Sequence, residues 1–95
     1  MANAIIQAGR PGTVEVVAYT GTHGVMATAI EAQTYAVRVV CTTASHIKFG
    51  AAPTATTSDI YMPAGVPEYF VVTPGQKISA VQVSAGGNMH VLQYA

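Results

Sequence analysis

Glycine and proline cut this chain into short pieces, and the pieces between them are β-branched. Arg10-Pro11-Gly12, Gly21 to Gly24, Gly50, Pro53, Pro63 to Pro67, Pro74-Gly75 and Gly86-Gly87 recur along the 95 residues. Proline removes a ladder donor, and glycine weakens any regular element it interrupts. The intervening segments are rich in Val, Thr, Ile and Tyr, which suit a pleated surface. No segment carries a convincing 3.6-residue apolar period, so helices are not expected.

The expected strands follow the punctuation. Thr13 to Thr20 reads as the first, and Gly21 to Gly24 as a hairpin turn in which Gly24 supplies a positive φ. Val25 to Ile30 reads as a weaker second strand. Tyr35 to Thr43 alternates cleanly, with Tyr35, Val37, Val39 and Cys41 on one face and Ala36, Arg38, Val40 and Thr42 on the other. His46 to Phe49 follows, then a loop over Ala51 to Ser58. Asp59 to Met62, Glu68 to Thr73, Lys77 to Ser84 and Met89 to Tyr94 complete the set. Pro74-Gly75 matches the centre of a type II turn, and Ala85 to Asn88 reads as a hairpin turn. Seven or eight short strands at regular spacing point to an all-β fold, a small antiparallel β-sandwich or barrel of jelly-roll-like form. Residues 1–12 read as an extended N-terminal arm and residues 13–95 as a single domain.

Several strands are apolar on both faces. Val14, Val16 and Val17, then Val37, Val39 and Val40, then Val71 and Val72 leave no face clearly for water. A solvated antiparallel sheet shows polar residues on its outer side. Two apolar faces imply that another chain covers the outer one, or that loops and the arm do so within the monomer.

Charge agrees with this. Only 8% of the residues are charged and they balance to zero, against about a quarter charged in an average soluble domain. A chain this short is helped by disulfides, metals or oligomerisation. Cys41 is the single cysteine, which excludes an intrachain disulfide. No Cys/His cluster has zinc spacing, so a homo-oligomer, dimer or trimer, is expected. Without a basic stripe, nucleic-acid binding is not expected. No apolar run approaches the length of a spanning helix, so no membrane is expected either. Arg10 follows the short apolar stretch instead of preceding it, the wrong order for a secretory signal. The expectation is a chain made in the cytoplasm and kept there or carried in an assembled particle.

Catalytic patterns are sparse. Glu15, Glu31, Asp59 and Glu68 lie in different elements, and His23, His46 and His90 are scattered. Cys41 shares a face with Val37 and Val39, as a small core residue does. The serines lack a nucleophile-elbow context, and Gly86-Gly87 precedes no helix that could cradle phosphate. No catalytic residue, metal ligand or cofactor is assigned. The seven aromatic residues, none of them Trp, suit core and interface packing, with a sugar-stacking platform as the alternative.

From His46 onward the chain resembles small proteins encoded near the head genes of tailed bacteriophages. The resemblance is carried by the strand end His46 to Gly50, the Thr/Ala-rich loop Pro53 to Thr57, the corner Tyr61 to Phe70, the turn Pro74 to Lys77 and the Gly-rich segment Gly86 to Tyr94. It covers about the C-terminal half. It implies a structural virion protein, a capsid decoration (cement) protein without catalysis. Such a protein sits on the outside of the shell, as a dimer or trimer, and clamps copies of the major capsid protein. A head–tail or fibre component, or a carbohydrate-binding sandwich, is the alternative. On this reading the contact residues are expected in the arm (Ile5, Ile6, Arg10), the following loop (Pro53, Thr54, Thr56) and the corner (Pro63, Val66, Pro67). Glu15, Glu31, Arg38 and Glu68 are candidates for ion pairs between subunits.

Overall fold

The computed structural model describes residues 11–94, all of them in strands, turns or irregular segments. The strands are β1 (Pro11–Tyr19), β2 (Gly24–Val25), β3 (Ala36–Cys41), β4 (Ser45–Gly50), β5 (Ile60–Met62), β6 (Glu68–Val71), β7 (Lys77–Gln82) and β8 (Gly87–Tyr94). The expected arm of residues 1–12 lies outside the described residues up to Arg10. Its last two, Pro11 and Gly12, belong to β1, where the register slips between Pro11 and Val14.

The second half of the chain retraces the first. β1 pairs with β8, β2 with β7, β3 with β6 and β4 with β5, all antiparallel. This ribbon is rolled so that β8 also pairs with β3 and β7 with β4. The result is two four-stranded sheets, a front sheet β1-β8-β3-β6 and a back sheet β2-β7-β4-β5. That order is an eight-stranded jelly roll.

The roll corrects the expected hairpins. Only β4 and β5 are consecutive strands in one sheet. The segments between β1 and β2 and between β7 and β8 are arches from one sheet to the other. Gly24 accordingly has no positive φ, which among the described residues belongs to Gly65 (72°) and Gly75 (90°). Gly24 is needed for close approach, because a Cβ there would run into the Ala18 carbonyl oxygen. Gly75 has the φ of the third residue of a type II turn, and the Gln76 amide donates to the Thr73 carbonyl at 3.2 Å.

The expected strand Val25 to Ile30 shrinks to Gly24–Val25. The Met26 amide still reaches the Ile78 carbonyl at 3.1 Å, but the next amide, Ala27, donates to the Glu15 carboxylate at 2.6 Å. The ladder is thereby interrupted, although Met26 and Ile30 both remain buried. Tyr35 is a second correction. β3 starts one residue later, at Ala36, so Tyr35 escapes the alternation and is 60% exposed, while Val37, Val39 and Cys41 are fully buried.

The core lies between the sheets. The front sheet contributes Val17, Tyr19, Val37, Val39, Met89 and Val91, and the back sheet Ile47, Met62, Ile78 and Ala80. Phe49 and Phe70 pack against this cluster from opposite sheets, with ring centroids 5.1 Å apart. Each fully buried aliphatic side chain contributes about 1.5–3 kcal/mol relative to exposure. One end of the core is closed by Tyr19, whose hydroxyl donates to the Thr43 carbonyl at 2.7 Å in the β3–β4 arch. At the same end the Thr42 amide donates to the Asn88 carbonyl at 3.0 Å. Gly87 sits where a Cβ would meet Thr42 and Thr43, so β8 can start directly beneath the arch.

Candidate interaction surface

Strand alternation decides what the front sheet shows to solvent. Since Val17, Val37, Val39 and Val91 point inward, their neighbours point out. Register then assembles the outer face in rows. Val14, Leu92, Arg38 and Tyr69 lie side by side across the four strands. Val16, His90 and Val40 form the next row, and Tyr94, Ala36 and Val71 the row on the other side. Among the described residues nothing folds over this face: Val14, Val16 and Val71 are 58%, 52% and 77% exposed. A shallow depression of about 370 Å³ lies at its centre, lined by Val14, Arg38, Val40, His90 and Leu92.

Among the described residues the face carries one fixed charge, Arg38. Glu15 and Glu68 pair with the buried residues Val91 and Val39, which puts both carboxylates on the inner side of their strands. Glu15 is used there to accept the Ala27 amide, and Glu31 accepts the Thr13 hydroxyl at 2.6 Å. Tyr94 stands at the rim of the face. Loss of water around it pushes its phenol above the usual value, and Tyr69 adds to the effect, so it is neutral near pH 7.

The back sheet is treated differently. Its outer face includes Ser79, which is fully buried because the β4–β5 loop folds back over it. The Ala55 amide donates to Ser79 Oγ at 3.0 Å, and Ala55 is itself buried. Asp59 holds the turn of this loop by accepting the Thr56 amide at 2.7 Å and the Thr56 hydroxyl at 3.1 Å. The Thr56 backbone bond is the leading reason its carboxyl lies below the ordinary value. The loop thus covers Ser79, while Val25 and Tyr61 on the same outer face remain 40% and 53% exposed.

The expected contact residues are distributed accordingly. Ile5, Ile6 and Arg10 lie outside the described residues. Pro53 is buried, while Thr54 and Thr56 are exposed. Pro63 is half-buried, while Val66 and Pro67 are exposed. The loop precedes the three-residue strand β5 and the corner follows it. The front face was not among the named contact residues, although strands apolar on both faces were expected to be covered by another chain or by loops and the arm. Its signal was present in the paired valines of β1, where Val14 and Val16 face out and Val17 faces in.

Reactive groups are held apart or buried. Cys41 is fully buried at the end of β3, and burial pushes its thiol up against the opposing hydrogen bonds of Ser45 and Tyr19. His46 Nδ1 lies 3.1 Å from the Asp59 carbonyl oxygen in the back sheet, whereas His90 lines the front face. Among the described residues no group of three or more His, Cys, Asp or Glu side chains could hold a metal ion. No helix among them is long and apolar enough to cross a membrane. The chain matches no family model, no curated protein and no solved structure.

Proposed function

We propose that this chain is a structural virion protein of a tailed bacteriophage that binds the outside of the capsid shell and stabilises it as a decoration protein, without catalysis. The observation that carries the reading is the apolar outer face of the front sheet, over which none of the described residues folds. Contiguous apolar surface of this kind marks a binding surface. The low charge, 8% of residues, is in keeping with a chain that completes its surface against other chains. The resemblance of the C-terminal half to head-gene neighbours supplies the partner, the major capsid protein. In such a role stabilisation is mass action: a protein that binds only the assembled lattice adds its binding free energy to that lattice.

Electron microscopy of virions carrying the labelled chain tests this. Density repeated over the shell facets is the expected result. Density confined to the tail or a single vertex would replace the proposal with a head–tail or fibre role. Retention on a glycan array with no density on the particle would favour the carbohydrate-binding alternative.

A further inference from the structure

We infer that the front face takes a protein surface presenting one carboxylate ringed by aliphatic side chains, with Arg38 as its counter-ion. The inference rests on the capsid-binding reading above and specifies what the shell must offer at the contact.

Arg38 stands in the row Val14–Leu92–Arg38–Tyr69, half-buried among apolar neighbours beside the central depression. Any partner that covers this face also covers the guanidinium. Covering it with apolar groups alone would strand a charge away from water, a cost that exceeds the gain from the surrounding aliphatic contacts. A carboxylate removes that cost, because the guanidinium fork matches its two oxygens.

The same charge decides against two other occupants. A second copy stacked face to face would bring a second Arg38 and no acid, since Glu15 and Glu68 are on the inner side of their strands. Like charges brought together in an interface are strongly unfavourable. A nucleic acid would need several cations for its phosphates, and among the described residues this face has one. A protein carboxylate is the chemistry that remains.

The experiment is co-sedimentation of the purified chain with empty heads of the phage that encodes it, using wild type, Arg38→Met and Arg38→Lys. Arg38→Met keeps the aliphatic stem and leaves the partner's carboxylate unpaired. The expected loss in affinity is about thirtyfold or more, with Arg38→Lys recovering part of it. Thermal unfolding of each variant, expected to match wild type, shows that the fold is retained. Equal or tighter binding of Arg38→Met would overturn the carboxylate inference while leaving shell binding intact. Absence of binding by the wild type would overturn shell binding itself, and the inference with it.

Discussion

Tyr69 and Tyr94 stack on the front face with ring centroids 6.3 Å apart and planes 25° from parallel. They come from β6 and β8, the two neighbours of β3, and meet across that strand between Ala36 and Arg38. The pair ties the edge strand β6 to the centre of the sheet on the side that water reaches. A double-mutant cycle on Tyr69→Ala and Tyr94→Ala, read by urea unfolding, should give a coupling of about 0.5–1.5 kcal/mol. Strict additivity would mean that the rings do not support each other.

Gly24 provides a sharper structural test. A methyl group there meets the Ala18 carbonyl oxygen, whereas one at Gly21 finds its nearest neighbour at 3.7 Å. Gly24→Ala should therefore lower stability by about 1–3 kcal/mol, the usual cost of forced overpacking. Gly21→Ala should lie within about 0.5 kcal/mol of wild type. Thermal unfolding of the two variants side by side separates close approach from a general intolerance of the β1–β2 arch.

Ser45 is the converse case, a group the fold would do better without. Its hydroxyl is buried without an oxygen or nitrogen partner, and the Cys41 thiol beside it is at most a weak one. Removing an unsatisfied buried hydroxyl recovers part of a penalty of about 1–3 kcal/mol. Ser45→Ala should raise stability by about 1 kcal/mol, less whatever the small cavity costs. A fall in the denaturation midpoint would show that the hydroxyl has a partner in solution.

Asp59 links the β4–β5 loop to pH. Its carboxyl is held below 3.8, first by the Thr56 amide and further by the Thr56 hydroxyl and the nearby Lys48 and His46. A carboxyl whose folded pKa is depressed stabilises the fold fully above its unfolded value. That contribution is lost as pH falls through the folded value. The window therefore lies at and below 3.8. In a pH titration followed by NMR, the Thr56 amide should shift with a midpoint below that value. Asp59→Asn should abolish the transition. A midpoint at or above the ordinary value would contradict the hydrogen-bonded turn.

The strands were legible in the sequence because β-branched runs and Gly/Pro turns act locally. The alternation Val37, Val39, Cys41 fixed which side of β3 is core. Topology was not legible, because a turn signature does not say whether the chain returns beside the strand it left or crosses to the other sheet. Gly24 illustrates the limit: its sequence context fits a hairpin, yet its role is to let β2 pass close to Ala18. The end of β2 was hidden for a different reason. The Ala27 amide leaves the ladder for a carboxylate twelve residues earlier, a contact that exists only after folding. The candidate surface was half visible. Paired valines announced apolar faces on both sides of the front sheet, but only register could join Val14, Leu92 and Arg38 into one row. Loop composition drew attention to Pro53, which is buried.

The most direct test of the account is the heat stability of empty phage heads, measured by light scattering or calorimetry with and without the bound chain. The wild type should raise the disruption temperature. Val16→Asp places a charge on the outer side of the edge strand β1, beside His90, and should remove that gain while the isolated variant still unfolds at the wild-type temperature. Equal head stability with and without the wild-type chain would contradict a stabilising role, and full protection by Val16→Asp would contradict the front sheet as the contact.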